Sequence, residues 1–134
     1  MDAVTQVPTP INEPVLDYAP GSAERAELEV ALADLGSSRM DLPHIIGGQR
    51  ITGTGTKIDV RQPHAHKQVL ATMHEATKAE AEAAVAAATA AAPAWRALSF
   101  DDRAAVLLKA ADLLAGPWRA RIVAATMLGQ SKTC

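Results

Sequence analysis

Aromatic residues and cysteines are scarce in this sequence. Phe, Trp and Tyr account for 3% of the 134 residues, and much of the 49% apolar fraction is alanine. Alanine removes little surface from water when it is buried, so the predicted core is thin for the length of the chain. Cysteine occurs once, as Cys134, which excludes an internal disulfide framework.

Charge imbalance and long apolar runs are also missing. The formal net charge is -2, and no basic run alternates with aromatic residues, which argues against a nucleic-acid partner. Residues 83–94 come closest to a long apolar run but are too short for a membrane helix, so we expect no membrane partner. Residues 1–17 contain three acidic residues and no Lys or Arg, the wrong charge for a secretory or transit leader. Together with the single cysteine, this pattern favours the cytoplasm.

The first part of the chain predicts an extended arm and one helix. Residues 1–21 contain four prolines, and each removes a backbone donor and disfavours helix in the residue before it. Ser22 can cap a helix over residues 22–35, and Gly36 is placed to end it. Apolar residues at helical spacing predict one packed face for this helix, namely Leu28, Ala31, Leu32 and Leu35.

Between residues 42 and 72 the pattern changes to short β-type runs. Gly47-Gly48 predicts a hairpin turn between strands at residues 45–46 and 50–51, because glycine accepts the positive φ of two-residue turns. Two more strands are predicted at residues 57–61 and 68–72, on either side of a break at Gln62-Pro63-His64. The fold class indicated is α/β and helix-rich.

A strongly helical segment begins at Thr77. Thr77 and Glu80 match a capping box, in which each side chain satisfies a backbone N–H at the helix start. Eleven of the sixteen residues from 79 to 94 are alanine, the best helix former and one slim enough to let a neighbouring element approach closely. We predict a helix over residues 77–92, with Pro93 at its end.

Two further helices are predicted near the end of the sequence. Ser99 and Asp102 offer a capping pair for a helix over residues 99–114. This helix has an apolar stripe at three- and four-residue spacing, formed by Ala104, Leu107, Leu108, Ala111, Leu114 and Ala115. A last helix is predicted over residues 117–128, with Gly129 interrupting it.

The histidines show no recognisable metal-ligand pattern. His64 and His66 lie two residues apart beside a predicted turn, and such a pair could contact one metal ion if further ligands converged on it. His44, His74 and Cys134 have no ligand spacing relative to that pair. Solvated or hydrogen-bonded loop histidines are the preferred interpretation, so no metal ligand is assigned.

The end of the sequence offers two candidates for chemistry. Residues 129–133, Gly-Gln-Ser-Lys-Thr, are similar to the end of a phosphate loop, but that motif requires an earlier glycine and a preceding strand. No Gly-x-Gly-x-x-Gly occurs elsewhere. Cys134 could act as a nucleophile only with a base and oxyanion donors around it, and its position assures neither. We assign no catalytic or cofactor-binding residue.

The carboxylates and tryptophans have structural interpretations. Glu80, Asp101 and Asp102 occupy helix-start positions, where capping explains them. Trp95 and Trp118 are expected to anchor helix packing rather than to stack on a ligand. The residues by themselves thus predict an α/β piece without a site of its own.

The last third of the sequence resembles a known enzyme family. The blocks that carry the resemblance are Phe-Asp-Asp-Arg-Ala-Ala at 100–105, Lys-Ala-Ala-Asp-Leu-Leu-Ala-Gly-Pro at 109–117 and Ala-Thr-Met-Leu-Gly-Gln-Ser-Lys-Thr at 125–133. They are similar to consecutive segments of the 1-pyrroline-5-carboxylate dehydrogenases, a branch of the aldehyde dehydrogenase superfamily. Residues 42–48 and 58–64 resemble the opening strands of the same family. The helix led by Arg103 marks only the superfamily, whereas Gly116-Pro117 and residues 126–133 point to the branch.

The resemblance implies an NAD-linked oxidation of L-glutamate γ-semialdehyde to L-glutamate in proline degradation, by an enzyme that forms homo-oligomers when complete. In that family a cysteine thiolate attacks the aldehyde, hydride passes to NAD, and a glutamate-activated water hydrolyses the thioester. The catalytic residues and the main cofactor contacts lie downstream of the segment that resembles this chain. The resemblance therefore carries over no catalytic, cofactor-binding or metal-binding residue.

The resemblance also implies an incomplete domain. Residues 1–40 correspond to an arm and first helix, and residues 41–134 to the N-terminal part of a Rossmann-like cofactor-binding domain of the aldehyde dehydrogenase type. Family members continue after the position of Thr133 with a hydrophobic residue and a Gln-Ala-Glu-Ile-Asp helix, so Cys134 departs from the pattern. We expect a truncated fragment that is inactive by itself.

Two alternatives stay open. A different aldehyde dehydrogenase would share the helix blocks and differ in a downstream substrate pocket. A free-standing helical interaction module would bury Leu107, Leu108 and Leu114 within its own fold or against a partner, whereas a truncated enzyme leaves them exposed.

Overall fold

The computed structural model describes residues 8–134, so the first seven residues of the predicted arm lie outside the described part. The helices are α1 (Ala23–Ser37), α2 (Lys78–Ala97), α3 (Phe100–Ala115) and α4 (Arg119–Gln130). The strands are β1 (Met40–Leu42), β2 (His44–Ile46), β3 (Gln49–Ile51), β4 (Lys57–Gln62) and β5 (Ala65–His74). The predicted α/β class and all four predicted helices are confirmed.

Three of the strands form a small mixed sheet in the order β1, β5, β4. β1 runs parallel to the central strand β5, with Met40 opposite Ala71. β4 runs antiparallel to β5, with Lys57 opposite His74. The carboxyl ends of β1 and β5 therefore meet the start of β4 at one edge of the sheet.

The strand predictions need two corrections. β1 is absent from the prediction, because a three-residue Met-Asp-Leu segment has no alternation to reveal it and depends on pairing with β5. β5 is longer than the predicted residues 68–72. Its ladder with β4 shifts register around Arg61, and this irregularity lets the two strands continue to pair up to the Pro63-His64 turn.

The predicted hairpin is confirmed and lies against α2. Gly47 and Gly48 join β2 to β3 with φ of 56° and 78°, a region that glycine enters without steric cost. A Cβ added to Gly47 would lie 3.8 Å from the Cβ of Ala87 in α2. The alanine-rich helix thus lets the hairpin turn approach it closely, as its composition predicts.

The apolar core lies between α1 and α4. Leu28, Leu35 and Ala124 are buried at its centre. Partly buried apolar residues pack around these three, namely Tyr18, Ala31, Leu32, Met40, Val123, Met127 and Leu128. By contrast, α2 and α3 contain no buried residue. The core is as thin as the composition predicts.

The predicted starts of α1, α2 and α3 are confirmed, and their caps are present. Ser22 Oγ accepts the backbone N–H of Arg25 at 3.3 Å at the start of α1. Thr77 and Glu80 form the complete capping box of α2. Ser99 Oγ accepts the N–H of Asp102 at 3.1 Å at the start of α3.

Three predicted helix ends are wrong. Pro93 lies inside α2, which continues to Ala97 although an interior proline costs about 3 kcal/mol through its missing N–H and its clash with the preceding turn. The alanines around it are the best helix formers and offset part of this cost. Gly36 and Gly129 lie inside the last turns of α1 and α4, where one glycine costs only about 1 kcal/mol. Within residues 8–134, no helix is long and apolar enough to cross a membrane.

Candidate functional site

The most highly coordinated polar group joins the start of α2 to the loop of residues 53–55. Glu80 Oε2 accepts the N–H of Thr77 at 2.7 Å and the Thr77 hydroxyl at 2.9 Å. Its other oxygen, Oε1, accepts the N–H of Thr54 at 2.9 Å and the Thr54 hydroxyl at 3.1 Å. Hydrogen bonds from Thr77, and then from Thr54, lower the pKa of Glu80 from 4.5 to about 2. At neutral pH this carboxylate is ionised and links the 53–55 loop to the start of α2, and we call this set of hydrogen bonds the Glu80 clamp. Because its pKa lies far below neutral pH, the carboxylate is unsuited to proton transfer.

Two glycines let the 53–55 loop pass close to its neighbours. A Cβ on Gly55 would collide with the backbone carbonyl oxygen of Glu75, to which Gly55 donates its N–H at 3.2 Å. A Cβ on Gly53 would collide with the His44 side chain. The sequence-based prediction missed the contact between this loop and Glu80. The Gly-Thr-Gly sequence at 53–55 is the signal that could have indicated it, because paired glycines are typical of a loop that passes close to other backbone.

A crevice of about 360 Å³ opens at the sheet edge where β1 and β5 end. Arg50 and Lys57 line it together with Asp41, whose Oδ1 accepts the Thr72 hydroxyl at 2.5 Å. Within residues 8–134, neither Arg50 nor Lys57 makes a salt bridge. The crevice is polar and of mixed charge.

The histidines are dispersed. His66 is exposed on β5, and His74 Nδ1 lies 3.2 Å from the carbonyl oxygen of Gly55. His44 Nε2 is buried without a hydrogen-bond partner in the described part of the chain, which differs from the predicted solvated or hydrogen-bonded state. No group of three His, Cys, Asp or Glu residues with metal-binding geometry occurs between residues 8 and 134.

His64 contacts Ser131 at the end of α4. The two side chains are exposed, and His64 Nδ1 lies 2.9 Å from Ser131 Oγ, within the range that proton transfer requires. Within residues 8–134, however, no carboxylate bonds the other ring nitrogen of His64 to orient it, as a nucleophilic triad needs. The contact therefore joins the β4–β5 turn to α4 without forming a catalytic group.

The phosphate-loop-like residues 129–133 sit at the wrong end of a helix for an anion. Gly129 and Gln130 close α4, and Ser131 follows in the left-handed region with φ of 55°. The C-terminus of a helix carries a partial negative charge, whereas phosphate binds at the N-terminus. Cys134, three residues further on, is free and exposed.

The two tryptophans are only partly buried. Trp95 and Trp118 are 41% and 52% exposed, so part of each side chain is covered by the described residues and part faces solvent. That they anchor helix packing rather than stack on a ligand stays a prediction.

A sequence profile described as "Aldehyde dehydrogenase family" matches residues 51–134, more than half of the chain. The chain therefore belongs to the aldehyde dehydrogenase family. Similar proteins carry the name of one branch of this family. Delta-1-pyrroline-5-carboxylate dehydrogenase of Agaricus bisporus is 44% identical over 131 residues, which are 97% of this chain and 24% of that protein. The mitochondrial enzyme of the same name from Dictyostelium discoideum is 40% identical over 132 residues, 98% of this chain and 23% of that protein.

A solved structure agrees with these matches. The crystal structure of the Delta-pyrroline-5-carboxylate dehydrogenase from Mycobacterium tuberculosis bound with NAD and cobalamin has a TM-score of 0.94 and 61% sequence identity, and the match covers 99% of this chain and 25% of that one. The chain thus spans about a quarter of the length of the relatives it matches. The predicted resemblance to this branch and the predicted aldehyde dehydrogenase fold are confirmed.

Proposed function

We propose that this chain is the N-terminal part of an NAD-dependent dehydrogenase that oxidises L-glutamate γ-semialdehyde (1-pyrroline-5-carboxylate) to L-glutamate in proline degradation. The observation that carries the proposal is the match to an NAD-bound enzyme of that name, at 61% identity over 99% of this chain. The match includes the Gly116-Pro117 turn and residues 126–133, the segments that distinguish the branch. A different aldehyde dehydrogenase is the less favoured alternative.

The exposure of α3 favours part of an enzyme over a free-standing helical module. Leu107 and Leu114 are 68% and 56% exposed, and Leu108 is only partly buried. A self-contained module would gain stability by burying these side chains within its own fold. The chain instead leaves them open, as a piece of a larger domain does.

We also assign the catalytic and cofactor-binding residues of the complete enzyme to the three quarters outside this chain. An NAD pyrophosphate would bind at a helix N-terminus with free N–H groups. At the start of α2 the Glu80 carboxylate already accepts such an N–H, and the first turns of α1 and α3 carry Glu24, Asp101 and Asp102. These negative charges do not suit a pyrophosphate at the starts of α1, α2 and α3. The start of α4 carries no acidic residue and no side-chain cap, so this charge conflict is absent there.

The domain boundary at residues 40 and 41 belongs to the same proposal. We assign residues 1–40, of which the structure describes 8–40, to an arm and first helix, and residues 41–134 to the N-terminal part of the cofactor-binding domain. β1 (Met40–Leu42) spans this boundary. Contacts that support docking of the first segment on the second include the bond from Arg119 Nη1 to the Pro14 carbonyl at 2.8 Å and the salt bridge from Arg121 to Asp34 at 3.0 Å.

Location and assembly are further parts of the proposal. We place the complete enzyme in the cytoplasm and expect it to form a homo-oligomer without a nucleic-acid or membrane partner. The balanced charge of the chain supports the absence of a nucleic-acid partner. Because the Dictyostelium relative is named as mitochondrial, fractionation of the source cells is the direct test of location. Light scattering of the complete protein measures its assembly.

The decisive experiment is to sequence the source locus beyond codon 134 and to assay the complete product. We expect a Gln-Ala-Glu-Ile-Asp-like helix, a later cysteine nucleophile, and NADH formation from glutamate γ-semialdehyde. Oxidation of other aldehydes without activity on this one would favour the alternative dehydrogenase. Calorimetry on residues 1–134 provides the second measurement, and saturable NAD binding there would contradict the assignment of cofactor contacts to the missing part.

A further inference from the structure

The crevice at the sheet edge is lined by residues of two separate sheets. Asp41 of β1 lies opposite Thr72 of β5, and its carboxylate accepts the Thr72 hydroxyl. Lys57 of β4 lies opposite His74, two residues further along β5. Opposite residues in paired strands, and alternate residues of one strand, share a face of the sheet, so these four side chains line the same face. Arg50 lines the crevice from the β2–β3 hairpin.

The charged groups of the crevice have no ionic partners within the chain as described. Between residues 8 and 134, no salt bridge includes Asp41, Arg50 or Lys57. Asp41 and Lys57 belong to the two outer strands, whose backbones lie roughly 10 Å apart across β5. The crevice therefore offers three charges to a ligand, two positive and one negative.

Asp59 does not neutralise Lys57, although it lies two residues later on the same strand. Its Oδ1 accepts a hydrogen bond from Arg39 Nη2 at 2.7 Å, and its Oδ2 accepts one from Arg61 Nη2 at 2.8 Å. Both carboxylate oxygens are thus occupied by guanidinium groups, through charge-assisted bonds. Lys57 stays available for a carboxylate from outside the chain.

Apolar side chains complete the lining. Leu42, Pro43 and Met73 border the crevice beside its charged groups. Its volume of about 360 Å³ lies near the lower end of the range for small-molecule sites, about 300–1,000 Å³. A ligand with a short aliphatic chain and charged ends matches this lining.

We propose that this crevice binds an acidic amino acid, with its two carboxylates on Arg50 and Lys57 and its ammonium group on Asp41. A ligand of this class carries two negative charges and one positive charge, the inverse of the crevice. A phosphate or a simple dicarboxylate would place negative charge against Asp41, and a simple amine would leave both cations without a partner. L-Glutamate is the member of this class that the proposed reaction forms. A product-sensing role therefore rests on the proposed function, whereas the choice of ligand class rests on the charges of the crevice.

The first test is an NMR titration of the 134-residue chain with L-glutamate at about 0.15 M salt, which screens exposed charges more than about 8 Å apart. We expect saturable shifts of the backbone amides of Asp41, Arg50 and Lys57. L-Glutamine lacks one carboxylate and glutarate lacks the ammonium group, so each should bind at least about tenfold more weakly than glutamate. Absence of saturable glutamate binding, or an analogue that binds as tightly as glutamate, overturns the proposal.

Asp41→Asn is the most informative substitution. It keeps an oxygen that accepts the Thr72 hydroxyl but removes the negative charge, so it should weaken glutamate binding and strengthen glutarate binding. Arg50→Met should weaken the binding of both ligands at least about tenfold.

The matched control is Lys67→Met, which removes a cation from an exposed position of β5 outside the crevice and should leave both affinities unchanged. An equal loss of affinity in Lys67→Met and Arg50→Met would mean non-specific attraction to surface cations and overturns the site. If a variant does not keep the circular dichroism spectrum of the original chain, the comparison of glutamate, glutamine and glutarate decides the question without it.

The complete enzyme separates this site from the proposed function. There, calorimetry should find one more bound glutamate per chain in the original protein than in Arg50→Met. Equal numbers in the two proteins, in an enzyme that oxidises glutamate γ-semialdehyde, overturn the crevice site alone. A bound glutamate that is lost in Arg50→Met, in an enzyme without that activity, overturns the proposed function alone.

Discussion

Helices α1 and α4 are held together differently from α2 and α3. Leu28 and Leu35 of α1 pack against Ala124 of α4, which lies 96 and 89 positions later in the sequence. α4 has no side-chain cap at its start. α2 and α3 contain no buried residue, but each begins with a capped N-terminus. The Thr77 side chain accepts the N–H of Glu80 in α2, and the Ser99 side chain accepts the N–H of Asp102 in α3.

The two pairs of helices are stabilised by contacts of different range: long-range packing for α1 and α4, and local hydrogen bonds for α2 and α3. The α1–α4 pair depends on apolar area removed from water, which forms only when the chain is folded. α2 and α3 depend on capping bonds between residues three positions apart, which form within one turn. Mutations in the two pairs should therefore differ in size and in the observable that they change.

The largest expected effect is on the buried pair. Leu28 is 3% exposed, and Leu28→Ala should lower the free energy of unfolding by about 2–5 kcal/mol, because it removes buried apolar area and leaves a cavity. Urea denaturation followed by circular dichroism measures the change. Val30→Ala on the exposed side of the same helix is the control and should stay within about 0.5 kcal/mol of the original chain. Equal effects of the two substitutions would contradict the assignment of the core.

A smaller effect is expected where a cap is removed. Thr77→Ala deletes the hydroxyl that accepts the Glu80 N–H and donates to the Glu80 carboxylate, and it should cost about 1 kcal/mol. The loss should appear as faster hydrogen exchange in the first turn of α2, with α4 unchanged. Thr77→Ser keeps the hydroxyl and should restore most of the protection. Faster exchange in α4 to the same degree would show that the two pairs are not independent.

The local features are also those that the sequence predicted. Ser22, Thr77 and Ser99 located three helix starts to within a residue, because a cap is defined by neighbours in sequence. Gly47-Gly48 located the hairpin for the same reason, since the turn needs only the positive φ of two residues.

The features that the sequence did not predict depend on distant partners. β1 exists because residues 40–42 pair with residues 71–73, which no local pattern announces. The hydrogen bond between Thr54 and Glu80 joins residues 26 positions apart. The capping box accounts for Glu80 by itself, so nothing in the local sequence indicates this second contact. How much of Trp95 and of Trp118 is covered also depends on distant surfaces, which the residue type alone does not specify.

A pH titration distinguishes the Glu80 clamp from ordinary surface charges. The pKa of Glu80 in the folded chain, about 2, lies below its ordinary value of 4.5 because Thr77 and Thr54 donate to its charged form. Its contribution to stability is therefore complete above pH 4.5 and is lost as the pH falls from 4.5 toward 2. The difference in unfolding free energy between the original chain and Glu80→Gln should shrink across this window.

The control for the clamp is Glu82→Gln, which removes the same charge from α2 but leaves the 53–55 loop untouched, because Glu82 contacts Lys78 at 3.7 Å. Carbon-detected NMR titration of the Glu80 carboxylate measures its pKa directly. A midpoint near 4.5 would mean that neither Thr77 nor Thr54 donates to the carboxylate in solution.

The smallest expected effect is on the exposed helix pair. Leu107 removes little surface from water in this chain, so Leu107→Ala should change the free energy of unfolding of residues 1–134 by no more than about 0.5 kcal/mol. The chemical change is the same as in Leu28→Ala, so the two variants differ only in their surroundings. In a chimera in which residues 1–133 replace the matching segment of the Mycobacterium tuberculosis enzyme, the same Leu107→Ala substitution should cost about 2–5 kcal/mol if that position becomes buried. A large effect in the 134-residue chain would mean that Leu107 is buried there and would contradict the contrast between the two helix pairs. A small effect in both proteins would leave that contrast intact and would show that position 107 stays exposed in the chimera.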